Sequence, residues 1–80
     1  MARSLRTPKH RQLQSGLADT RKAAGLTQAQ LAERLGRPQS FVAKYEVGER
    51  RIDVVEFCEI ADALKLDASA LLSSIFLDRR

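Results

Sequence analysis

The chain has 80 residues, 44% of them hydrophobic and 5% aromatic, with a formal net charge of +4 and a single cysteine. That length holds one domain with a thin core and no run of about 18 apolar residues that could cross a membrane. Cys58, being alone, excludes an internal disulfide and a four-ligand structural zinc site, so the expectation is a cytoplasmic protein without a secretory leader, metal or cofactor.

The charge is unevenly placed. From Met1 to Arg51 eleven Lys or Arg face four Asp or Glu, whereas from Ile52 to Arg80 three face six. The basic part points to an anionic partner, with nucleic acid ahead of a membrane surface. Residues 1–7 read as a flexible basic arm. Its Arg3 and Arg6, with Lys9 and Arg11 just beyond, are either an unattached tail or a strand of charge that reaches along DNA.

The periodicity is helical throughout and the fold class is all-α, since no segment alternates with period two. Thr7-Pro8 opens a first helix, with Thr as N-cap and Pro at the first position. Leu13, Leu17 and Ala24 recur at helical spacing, and Gly25 ends the helix. Thr27 with Gln30 forms a capping box for a second helix carrying Leu31, Ala32 and Leu35 on one face. Gly36 stops it after two turns, and Pro38 suits the opening of the next. The third helix runs to Val47, with Val42 and Tyr45 inward, and Gly48 closes it. Asp53 caps a fourth helix with Val54, Phe57, Cys58, Ala61 and Leu64 as its apolar face. Asp67 caps a fifth containing Leu71 and Leu72. The expected helices are near 8–24, 28–35, 39–47, 53–64 and 68–74, making a domain over 8–74 with a tail over 75–80.

The spacing of the second and third helices is the informative feature. Both are short and are joined by a turn containing Gly36, which is the layout of a helix-turn-helix. Ala32 is small where the helices cross, and Gly36 supplies positive φ. Gln39, Ser40, Ala43 and Lys44 point outward and are short or hydrogen-bonding types, suited to base edges. Phe41 either meets a thymine methyl or packs under the second helix. Cys58 reads as a small core residue. A Ser-His-Asp or Cys-His site would need His10, which falls near the loose chain start, so no enzyme is expected.

The stretch GLTQAQLAERLGRPQSFVAKYEVGERR resembles the Cro and phage-repressor type helix-turn-helix proteins, the XRE family, and ALKLDASALL resembles that family's usual close. The resemblance covers about Leu17 to Leu72. It implies a compact five-helix, lambda-repressor-like bundle that binds double-stranded operator DNA, usually an inverted repeat, as a homodimer. It further implies that Gln39, Ser40 and, one turn on, Lys44 read bases, that Gln28 touches a phosphate, and that Arg50 and Arg51 hold the backbone. It also implies a buried ion pair between Arg21 and Glu46. Two positions depart from the pattern. Arg37 stands where an apolar residue is usual and is free to reach a phosphate or a base. Pro38 stands where a capping Ser or Thr is usual.

A transcriptional regulator, with repression ahead of activation, is therefore the expected function. An antitoxin or adaptor whose main partner is another protein, such as a toxin, is the alternative. The apolar run Leu72, Ile75, Phe76 and Leu77 is expected at an interface, either of the homodimer or with such a partner; otherwise Leu72 and Ile75 fold back onto the fourth helix and Phe76 and Leu77 are left as a loose chain end.

Overall fold

The computed structural model describes residues 7–77. Within them lie α1 (Pro8–Ala23), α2 (Gln28–Leu35), α3 (Gln39–Val47), α4 (Val54–Leu64) and α5 (Ala68–Phe76). No strand occurs among the described residues.

Local chemistry sets most of these boundaries. Thr7 accepts from the His10 amide at 3.1 Å, and Pro8 needs no such partner. At α2 the Thr27 hydroxyl accepts from the Gln30 amide at 3.0 Å, while the Gln30 side chain accepts from the Thr27 amide at 2.9 Å. The two exchanged bonds satisfy donors that a helix start leaves without intrahelical partners. Gly36 ends α2 with φ 67°, and Arg37 N–H bonds Ala32 O at 3.0 Å behind it. A side chain at Gly36 would strain this left-handed turn, and the turn sets the angle at which α3 leaves α2. Asp53 and Glu56 repeat the reciprocal cap at α4, at 2.7 and 2.9 Å. Pro38 is the N-cap of α3 in extended conformation rather than its first helical residue, and it makes no side-chain cap bond.

The core is a single cluster beneath the α2–α3 crossing. Leu17, Leu31, Val42 and Ile60 are wholly buried, and Ala32, Tyr45, Phe57 and Leu64 close around them. The longest packing partnership among the helices is α2 on α3, and α1 backs both α3 and α5. Gly16 is where α1 meets α5: a Cβ there would stand 2.9 Å from Leu71 Cδ1.

Several expectations need correction. Thr7 caps α1 and so belongs to the domain rather than to an arm. Ala24 is the exposed C-cap of α1, one residue past its end, and not a core position. Helix α5 continues to Phe76, so Ile75 and Phe76 are helical rather than part of a tail. On α4 the buried set is Phe57, Ile60, Ala61 and Leu64, the i, i+3, i+4, i+7 stripe. Cys58 is exposed because it falls one residue, about 100° of helix, past Phe57. Val54 is also exposed and lines an apolar groove with Leu13, Ile52, Phe57 and Leu72. Arg3, Arg6 and residues 78–80 lie outside the described residues.

Candidate nucleic-acid interface

Helix α3 presents two different faces. Val42 and Tyr45 enter the core, and Gln39, Ser40 and Lys44 are exposed, with Ala43 half-buried between them. Gly36 and Pro38 place the first turn of α3 at the surface beside the α2 N-terminus. There Gln39 Nε2 approaches Gln28 Oε1 at 3.4 Å, and Gln28 Nε2 donates to Glu46 Oε1 at 2.9 Å.

Glu46 links this surface to the interior. Arg21 Nε donates to Glu46 Oε2 at 2.8 Å, and its Nη2 donates to Oε1 at 3.0 Å. Its Nη1 donates to Leu26 O at 2.7 Å. The two side chains are 9% and 6% exposed. Bidentate geometry of this kind joins two planar groups in one fixed orientation. The bonds to Glu46 push the Arg21 guanidinium further into its charged form, against the opposing pull of burial. The pair ties the end of α1 to the end of α3. Beside it, burial drives the Tyr45 phenol well above its ordinary titration range.

Phe41 packs inward, only 7% exposed, with its ring edge-on to Tyr45 at 5.4 Å between centroids. The thymine-methyl alternative is thereby set aside. Its ring carries two cations instead. The Arg37 guanidinium carbon lies 4.4 Å from the ring centroid and that of Arg50 lies 4.7 Å from it. Both arginines converge on Glu56. Arg50 Nη1 and Nη2 donate to the two carboxylate oxygens at 3.0 Å each, and Arg37 Nη1 lies 3.5 Å from Oε2. The Arg50 bonds, reinforced by the Asp53 amide, hold the Glu56 carboxyl well down, at about 2. Arg37, Pro38, Ser40, Phe41, Lys44, Glu49 and Arg50 line one shallow cleft beside α3.

Arg51 turns the other way. It is exposed, forms no ion pair among the described residues, and lies near His10, whose pKa is lowered by burial and then by the Arg51 charge. Arg51 and His10 line one pocket with Leu72 and Phe76; Leu72, Phe76 and Leu77 are exposed, and Lys9 Nζ stands 4.7 Å from the Phe76 ring centroid. Ile75 does not join them. It is 5% exposed, folded into the chain's own interior, because the extra length of α5 turns it back toward α1.

Glu56 was not legible as part of this surface. The spacing Asp53-x-x-Glu56 gives the capping box, but nothing local announces that the same carboxylate gathers two arginines from either side of α3.

Two short helices joined at a glycine turn, with a polar face on the second and arginines on both flanks, define a helix-turn-helix protein. The helix-turn-helix family model HTH_3 matches residues 17–71. A solved structure of an XRE-family like protein from Pseudomonas syringae pv. tomato str. DC3000 is similar at 46% identity and TM-score 0.85, over 90% of this chain and 88% of that one. Comparison with curated proteins found no match. The chain belongs to the XRE-type helix-turn-helix family, whose members are DNA-binding transcriptional regulators.

Proposed function

We propose that this protein is a sequence-specific regulator of transcription, most simply a repressor, that binds operator DNA as a homodimer in the cytoplasm. The observation that carries the proposal is the outward face of α3. Exposed Gln39, Ser40 and Lys44 stand at its start and one turn on, between arginine-bearing loops. An α-helix fits the major groove, and side-chain amides there pair bidentately with base edges. Gln39, Ser40, Ala43 and Lys44 read bases. Gln28, Arg37, Arg50 and Arg51 hold phosphates, with Gln28 using the second hydrogen of an amide whose first is committed to Glu46.

One α3 reads only a few base pairs. Two copies related by a two-fold axis read half-sites about one helical turn, roughly 34–36 Å, apart. Leu72, Phe76 and Leu77 supply the apolar surface for that pairing, extended by Val54 across the groove it shares with Leu72. The same surface would serve an antitoxin-like adaptor. A stoichiometric second protein retained in a pull-down from the native host favours that second reading.

Selection of bound duplexes from random DNA tests the proposal directly. A defined consensus is expected, relaxed at one or two base pairs in Gln39→Ala at about 1–3 kcal/mol each. Arg51→Ala weakens all sequences alike and flattens the log–log salt dependence by about 0.9 per lost phosphate contact. Unchanged sequence preference and affinity in Gln39→Ala would remove Gln39 from the reading face.

A further inference from the structure

We infer that Glu56 is a positioning residue for DNA-backbone contact: it fixes Arg37 and Arg50 over the Phe41 ring so that both guanidinium groups face one phosphodiester. The inference rests on the DNA-binding reading above and adds to it a residue of α4, outside the helix-turn-helix itself.

The two arginines share one aromatic ring, within 4.4 and 4.7 Å of its centroid. Two like charges this close repel each other, and a flexible side chain in water would swing away. Glu56 supplies the counter-charge between them. It cannot follow their motion, because Oε1 also accepts from the Asp53 amide at 2.9 Å and is pinned to the start of α4. Its side chain is 12% exposed, while those of Arg37 and Arg50 remain 35% and 37% exposed. The arginines are thus anchored on one side and open on the other.

Hydrogen-bond capacity agrees. Arg50 uses its Nη atoms on Glu56 and on Arg51 O. A guanidinium carries five N–H groups, so Nε–H and one Nη2 hydrogen remain for a phosphate oxygen. Arg37 is held by the longer ionic contacts to Glu56 at 3.5 Å and to Glu59 at 3.9 Å, which leave its fork largely unspent. Both line the cleft that Pro38, Ser40, Lys44 and Glu49 complete, where three cations stand against one carboxylate. Groups held in place before binding lose less rotamer freedom on binding.

Charge alone predicts the opposite sign, and this makes the test decisive. Removing any acid from a DNA-binding surface reduces repulsion and should tighten binding. Glu33→Gln, at an exposed position of α2 whose carboxylate forms no ion pair among the described residues, reports that bare charge effect. Glu56→Gln makes the same charge change and keeps an amide oxygen to accept from the Asp53 amide. Glu56→Asp keeps the charge but is too short to reach both arginines and the amide together.

Full-length protein is titrated by fluorescence anisotropy with a selected duplex and an unrelated one, alongside thermal unfolding and NMR of the arginine Nη–H groups. E33Q is expected to bind as tightly as wild type or tighter. E56Q and E56D are expected to bind both duplexes about tenfold more weakly, the worth of one charge-assisted hydrogen bond. The Arg37 and Arg50 Nη–H signals, distinct while the guanidinium groups are held on Glu56, are expected to collapse to those of freely exposed arginines. Wild-type or tighter binding by E56Q, matching E33Q, or wild-type affinity in E56D, overturns the inference while leaving the DNA-binding reading intact. Wild-type protein that binds neither duplex overturns both.

Discussion

The Arg21–Glu46 pair sits where a single-atom change in chemistry should have the largest effect on the fold. Arg21→Met and Glu46→Leu each leave one charged group behind, surrounded by protein on nearly all sides. Stranding the Arg21 guanidinium strips two of its three hydrogen bonds, and only the one to Leu26 O at 2.7 Å survives. Stranding Glu46 leaves it the Gln28 amide alone. Breaking a buried pair from one side destabilises by about 3–5 kcal/mol. A domain of this length has roughly 4–12 kcal/mol in all, so either change removes a large share of it and lowers Tm by about 12 °C or more. Joint replacement removes both desolvated charges and should be milder than the two single losses combined, with a coupling of at least about 1 kcal/mol. Urea unfolding of the four proteins, followed by circular dichroism, measures the cycle. Single losses below about 1 kcal/mol, or strict additivity, would refute the reasoning that α1 and α3 are joined through this pair.

Two further outcomes follow from the surface. Sedimentation at micromolar concentration should show a dimer that Phe76→Asp converts to a folded monomer, because Phe76 is 53% exposed, while Ile75→Asp unfolds the chain because Ile75 is 5% exposed; a wild-type monomer unaffected by Phe76→Asp removes the dimer from the account. The Glu56 carboxyl is held at about 2, below its ordinary 4.5, so its contribution to stability is present above the ordinary value and is lost as pH falls from about 4.5 toward 2. The Tm gap between wild type and E56Q should therefore close over that window, and a gap that stays constant down to pH 2 would place the carboxylate outside the titrating set.

Helix α3 was legible because its boundaries are written locally. Thr27 with Gln30, Gly36 and Gly48 act on neighbours within five residues, and the observed α2 and α3 begin and end at the expected residues. The outward set Gln39, Ser40 and Lys44 follows from helical period once the inward Val42 and Tyr45 are fixed. What failed to show is tertiary. Phe41 lies between the two faces of α3, and only the arrival of Arg37 and Arg50 from the flanking turns decides that its ring is roofed by cations. Ile75 looked like part of an exposed apolar run because the run is continuous in sequence. The close approach of α5 to α1 at Gly16 selects it from that run and buries it. Cys58 and Val54 failed for a similar reason: an α4 that is apolar over more than one face cannot say which face the core will take.

The same geometry explains why a charged pair can sit at the edge of so small a core. Glu46 is the joint of a chain of contacts that begins at Leu26 O, passes through Arg21 and Gln28, and ends at Gln39 on the outer surface. Each inner member is held by at least two partners, so the freedom of the chain is concentrated in its last link, the 3.4 Å approach of Gln39 to Gln28. A glutamine held loosely by another glutamine keeps its own donors and acceptor available to a base edge while its backbone is fixed. An apolar pair in place of Arg21 and Glu46 could hold the two helices together equally well. It would leave Gln28 without its acceptor and Gln39 without an oriented neighbour. The ion pair is therefore better understood as the device that sets where α3 presents its first turn than as a source of net stability.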